Sequence, residues 1–170
     1  MKVVNLYGGP GAGKSTTRAG LFYKMKMAQL VVEETPEYAK DLTYEKNWTA
    51  LSNQWLVIGE QNHRLNRLRG QVDYAVTDSP LPLGLMFATP AFQTEWFTDA
   101  VWGLYDTYDN VNIFIERAKP YQSFGRNQSE DEARLIDRKL RHLMRDRIDL
   151  FVPGDEHASD RIMGFLGLTP

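Results

Sequence analysis

Residues Gly8, Gly9, Pro10, Gly11, Ala12, Gly13, Lys14, Ser15 and Thr16 are consecutive and fill every slot of the pattern G-x-x-x-x-G-K-[ST]. Glycines in these slots let backbone N–H groups turn inward around a polyphosphate. The Lys14 ammonium reaches the outer phosphates as a point charge, and the Ser15 hydroxyl suits a magnesium ion. The stretch is therefore expected to hold ATP with Mg2+. The loop alone does not decide whether the phosphoryl group is transferred, lost to water or only sensed.

Transfer to an alcohol requires carboxylates as well. Asp78 follows the apolar run Tyr74-Ala75-Val76 and is the expected catalytic carboxylate, sharing the magnesium side with Ser15. Glu34 and Glu37 are candidates for the acceptor-side group that orients a hydroxyl and takes its proton late. Glu33 and Glu34 are neighbours, and in a strand they point to opposite faces, so only one of that pair can line a site. A third expected part is a basic lid at about 117–129, where Arg117 and Arg126 flank a segment with Pro120, Gly125 and no clean periodicity. A guanidinium closing there would exclude water and spread transition-state charge. Arg126 is the favoured one, because Gly125-Arg126-Asn127-Gln128 directly precedes a helix cap at Ser129. Lys119, Arg134, Arg138, Lys139, Arg141, Arg145 and Arg147 continue the basic region, and alternating charge on a solvated helix face accounts for most of them.

These residues need a scaffold that brings strand ends together. Val3, Val4, Leu6 and Tyr7 predict a first strand, and a helix should run from near Gly13 to about Gln29 with its positive dipole end on the phosphates. Leu30-Val31-Val32 reads as a second strand ending at Glu33-Glu34. Leu51, Trp55, Ile58, Leu65 and Leu68 recur at helical spacing, and that helix stops at Gly70. A third strand ends on Asp78, and the proline-rich Ser79–Pro82 is a loop. Residues 93–108 suggest a helix with an aromatic core face of Trp96, Phe97 and Tyr105. Val111–Ile115 and Leu150–Val152 supply two more strands, and Ser129 with Glu132 forms a capping-box signature opening a helix on Ala133, Ile136, Leu140 and Leu143. Short strands that are apolar on both faces and separated by helices imply a five-stranded parallel sheet with helices on both sides, an α/β three-layer arrangement. In such sheets ligands bind at the carboxyl ends of the strands, which is where the candidate residues fall.

The chain has 170 residues, 42% hydrophobic and 25% charged, with a net charge of -2, which fits one globular domain over 1–170. With no cysteine, disulfide frameworks and thiolate metal sites are excluded. His63, His142 and His157 lack metal-ligand spacing. The opening residues lead directly into a strand, so no signal peptide is expected, no membrane partner is expected, and a cytoplasmic location follows. Gln61 and His63, on the helix beside Trp55, are candidates to face an acceptor base.

The loop near the N-terminus, Glu33-Glu34-Thr35-Pro36-Glu37-Tyr38-Ala39-Lys40, the helix carrying Gln61, the Asp78 strand end and Gly125-Arg126-Asn127-Gln128 together resemble a family of small P-loop kinases of the nicotinamide-riboside-kinase-like type. The members this chain looks most similar to are bacteriophage 5-hydroxymethyluracil DNA kinases. The resemblance implies a P-loop kinase fold, nucleotide contacts from Gly11 to Thr16, a catalytic or magnesium-linked role for Asp78, an acceptor-side role for Glu37 and a lid role for Arg126. It implies ATP as donor, and as acceptor a modified base in DNA, with a free nucleoside or nucleotide as the alternative. Lys40 departs from the pattern: it stands where related kinases carry an arginine, and the two are not interchangeable at a bidentate site.

Overall fold

The first strand, β1 (Lys2–Tyr7), is buried on both sides: Val4 and Leu6 point one way, Val3 and Tyr7 the other, and none is more than 1% exposed. The computed structural model describes residues 1–124 and 128–168. After β1 come α1 (Lys14–Met27), β2 (Val32–Thr35), α2 (Tyr38–Tyr44), α3 (Trp48–Ser52), α4 (Gln54–Asn66), β3 (Tyr74–Thr77) and α5 (Leu83–Met86). A 3-10 turn at Pro90–Phe92 then leads to α6 (Glu95–Tyr105), β4 (Asp109–Glu116), α7 (Glu130–Leu143), β5 (Leu150–Pro153) and α8 (Ala158–Phe165).

Among the described residues, five strands form one sheet in the order β2-β3-β1-β4-β5, and every pairing is parallel. The chain leaves β1 toward β2 but leaves β3 across β1 toward β4. Adjacent strands with connections departing in opposite directions open a crevice at their carboxyl ends. That crevice lies between β1 and β3, where Gly8 and Asp78 emerge.

Helices cover both faces, as the sequence predicts. On one, Leu21 and Met25 of α1 and Ile162 of α8 pack against Val4, Leu6, Val76, Ile113, Ile115 and Val152. On the other, Ile58 and Leu65 of α4 and Phe97, Val101 and Tyr105 of α6 meet Val3 and Ala75. Leu140 of α7 and Met144 just beyond it join Tyr7 and Phe114 on that second face. Each buried Val, Leu, Ile, Phe or Met among them contributes about 1.5–3 kcal/mol relative to exposure.

Three expectations are corrected. The second strand starts at Val32, because Gln29 takes a left-handed conformation (φ 61°) and the Leu30 amide bonds back to the Met25 carbonyl, closing α1. Glu33 and Glu34 consequently lie inside the strand, which ends on Thr35. The predicted long helix is two, since the Asn53 side chain accepts from the Leu56 amide and caps a fresh start at Gln54. Trp96 is 57% exposed, and Phe97, Val101 and Tyr105 form the core face of α6 without it.

The capping box forms as expected: Ser129 Oγ accepts from the Glu132 amide at 3.3 Å, and Glu132 Oε2 accepts from the Ser129 amide at 2.7 Å. Ser129→Ala is expected to cost about 1 kcal/mol, measured as a lower urea midpoint with an unchanged slope.

Candidate functional site

At the end of β1 the chain turns sharply at Gly8 (φ 139°), where a Cβ would stand 2.8 Å from the Ile115 carbonyl oxygen. The loop then runs to Gly13 and into α1. Among the described residues, no protein acceptor takes the amides of Gly11, Gly13, Lys14, Ser15 or Thr16. Converging N–H groups at a helix start form an anion site. Lys14 Nζ donates to the carbonyls of Gly8 (2.7 Å) and Gly9 (3.2 Å), so the ammonium lies across the loop it serves. Burial pushes the Lys14 pKa down, while Glu37, Asp78 and Asp137 pull against that shift. Gly9 and Ala12 face backwards. Gly9 meets Asp137 of α7, and the Ala12 carbonyl lies so close to Gly154 after β5 that no Cβ fits there.

Asp78 emerges from β3 with its side chain only 2% exposed and accepts from Arg18 Nη1 at 2.7 Å. Arg18 Nε donates to Glu34 Oε2 at 3.0 Å, so one guanidinium holds both carboxylates. Arg18 stands one helical turn after Lys14 on α1, a spacing that puts the two on one face. The Asp78 Oδ2 atom takes no donor among the described residues. Ser15 and Asp78 thus offer one hydroxyl and one carboxylate oxygen, which fits magnesium, an ion that keeps most of its shell as waters and phosphate oxygens. Among the described residues no group of three or more His, Cys, Asp or Glu side chains could hold a metal ion.

The adjacent glutamates separate as strand geometry demands. Glu33 turns outward to Lys26 at 3.0 Å, whereas Glu34 joins Arg18. Neither lines the cleft. Glu37 does, and burial raises its pKa, an effect that nearby Asp78 reinforces and Lys14 opposes most strongly. Its position is fixed from behind by α4: Gln61 Oε1 accepts from the Tyr38 amide at 3.1 Å, and the Pro36 carbonyl accepts from Arg64 Nη1 at 3.2 Å. Gln61 is therefore a buried brace for the 36–38 turn. It does not face an acceptor base, which corrects that expectation, and His63 is exposed, the more ordinary state for a histidine on such a helix.

Glu37 lines a cleft of about 580 Å³ that begins at Gly8, Gly11, Lys14, Ser15 and Thr16 and continues over α2 to α5. The far part is formed by Thr43, Tyr44, Leu51, Val57, Leu83 and Phe87, with Gln54 among them. Gln54 is 4% exposed and spends one amide hydrogen on the Leu51 carbonyl. Gln54 and Arg18 carry no local sequence signal of these roles, since a polar residue at a helix start or on a helix face does not say what the fold sets beside it. Trp55 is outside the cleft, edge-on to Trp96 at 6.0 Å. Arg117, expected to flank the lid, is packed under the phosphate loop with its side chain 7% exposed. Arg126 lies outside the described residues.

A family model described as an AAA domain matches residues 3–153. The chain belongs to this AAA domain family. Among curated proteins no sequence match is found. Among solved structures, the deoxyadenosine kinase from M. mycoides with bound dATP is similar at a TM-score of 0.61 and 15% identity, over 98% of this chain and 100% of that one. The APS kinase CysC from Mycobacterium tuberculosis is similar at a TM-score of 0.53 and 14% identity, over 98% of this chain and 97% of that one. At such identities the likeness shows the fold: this AAA domain has the three-layer architecture of P-loop kinases. No helix among the described residues is long and apolar enough to cross a membrane.

Proposed function

We propose that this protein is an ATP-dependent kinase that moves the terminal phosphoryl group to a hydroxyl of a nucleobase or nucleoside. The observation that carries the reading is one continuous cleft joining the phosphate loop, Glu37 and the buried amide of Gln54. The loop amides and Lys14 hold the donor phosphates, and Glu37, raised in pKa and beside Lys14, orients the acceptor hydroxyl and takes its proton as the new P–O bond forms. Ser15 and Asp78 would hold magnesium, which would supply charge neutralisation to the donor's phosphates. Arg18 holds Asp78 in place through their ion pair, with Glu34 as the second acid on the same guanidinium. Leu51, Val57, Leu83 and Phe87 form apolar walls for a planar ring, and Gln54 presents an amide to its polar edge.

The sharpest version of the acceptor is the 5-hydroxymethyl group of 5-hydroxymethyluracil in phage DNA, a step of thymidine hypermodification. It is supported by a mouth that is open: Tyr44 and Phe87 line the cleft yet remain 60% and 41% exposed. A base in a strand can reach such a site if flipped or single-stranded. A free nucleoside is the alternative, in line with the fold shared with a deoxyadenosine kinase. A nucleoside monophosphate fits less well, because Lys40 is the one cation that α2 to α5 contribute to the described lining.

The test is labelled ATP with magnesium and, in parallel, hydroxymethyluracil-containing DNA, unmodified DNA, nucleosides and nucleoside monophosphates. Label on hydroxymethyluracil DNA alone is the expected result, and label on a free nucleoside or nucleotide alone removes the DNA version. Gln54→Leu is expected to raise the acceptor KM about tenfold through one lost hydrogen bond, leaving ATP affinity unchanged.

A further inference from the structure

Behind the phosphate loop, Arg117 and Asp137 line a separate hollow between β4 and α7 and do not border the main cleft. One Asp137 oxygen accepts from the Gly9 amide at 2.5 Å, and the other accepts from Arg117 Nη2 at 3.0 Å. The same Nη2 donates to the Pro10 carbonyl at 2.9 Å. Pro10 has no N–H, so these contacts capture both the Gly9 donor and the Pro10 acceptor at the start of the loop. The rest of the guanidinium is unusual. Nε and Nη1 are buried without a hydrogen-bond partner among the described residues, and a Cβ on Gly11 would stand 3.1 Å from Nη1. The Tyr121 ring centre lies 5.7 Å from the guanidinium carbon, a cation–π contact, but buried donors without an acceptor are costly. Here they press a positive charge against the part of the loop whose amides are free.

We propose that Arg117 and Asp137 are positioning residues for the donor nucleotide: the pair sets the loop in its binding shape, and Arg117 cancels the carboxylate that would otherwise repel the phosphates from behind. This rests on the donor half of the reading above and is independent of the acceptor. A loop held in shape beforehand loses less freedom on binding, so the effect falls on affinity. The two residues are not equivalent. Loss of Asp137 removes a tether, whereas loss of Arg117 also leaves an uncompensated carboxylate behind the phosphate site.

The experiment is calorimetric titration of MgATP, with acceptor omitted, into wild type, Arg117→Met, Asp137→Asn and the double variant, each checked for folding by circular dichroism. R117M is expected to weaken binding by about tenfold or more, D137N by less, and the double variant to regain part of the R117M loss. A merely structural pair would lower thermal stability and leave the affinity of the folded protein unchanged, and that result overturns the proposal. A double variant no better than R117M also overturns it. Should R117M yield no folded protein, the near-isosteric D137N decides alone, and wild-type affinity there is contradictory. Wild type that binds no ATP would refute the donor-site reading itself, an outcome separate from any difference among the variants.

Discussion

Asp78→Asn is expected to reduce phosphoryl transfer by roughly 10²–10³-fold while the protein stays folded. Asparagine keeps the oxygen that accepts from Arg18 Nη1, and Arg18 keeps Glu34, so the local packing has what it needs. What disappears is the negative charge at the end of β3, the charge proposed above to help hold magnesium. Lys14→Met is expected to fail by a comparable factor for the opposite reason: it removes the positive charge spanning the loop while retaining a chain of similar length. Steady-state transfer with circular dichroism on each variant checks both. Full turnover in D78N would show that Asp78 serves only as the partner of Arg18.

Glu37→Gln is expected to separate activity from stability. General acid–base groups contribute about 10²–10⁴-fold, so transfer should fall within that range. Stability should hold or rise. Burial raises the Glu37 pKa above its ordinary value of 4.5, so between 4.5 and the raised value the folded state binds more protons than the unfolded one. Stability contributed by this group is therefore present at low pH and is lost as pH rises through that window. Glutamine removes the charge that burial penalises, and each kcal/mol recovered would raise the melting temperature by about 2–4 °C. Turnover of the wild type should rise with pH through the same window, and E37Q should lack that limb. Lys14 carries the mirror-image cost: its pKa is lowered from 10.5, and in the window below 10.5 stability rises with pH as the unfolded state holds the extra proton. Both ends of the site are charged against their surroundings, a common bargain of stability for function.

Local signals carried much of this to the reader of the sequence. The phosphate loop and the Ser129–Glu132 box are defined by residues within a few positions of each other. Strands buried on both faces, such as Val3 to Tyr7, announce a covered parallel sheet. What escaped depends on distant partners. Nothing near Arg18 says that β3 will set Asp78 at 2.7 Å from it, and nothing near Asp137 says that α7 will touch Gly9. Gln61 looked like a ligand-facing residue because helical spacing placed it beside Trp55. The fold instead spends it on the 36–38 turn, and spends Gln54, one residue past an unrecognised cap, on the cleft. The choice between Glu34 and Glu37 hung on where β2 lies: the left-handed Gln29 closes α1 and delays the strand to Val32, so Glu34 falls inside it and Glu37 beyond its end at Thr35.

The central claim is that this cleft delivers phosphate to an alcohol and not to water, which distinguishes a kinase from a nucleotide-hydrolysing switch. The decisive measurement follows labelled terminal phosphate from ATP with and without hydroxymethyl-bearing DNA or nucleoside, separating phosphate ester from inorganic phosphate. Slow release of inorganic phosphate is expected without acceptor, and stoichiometric appearance of label in an acid-stable ester with it, both lost in D78N. Equal release of inorganic phosphate in the two conditions, with no labelled ester, would contradict it.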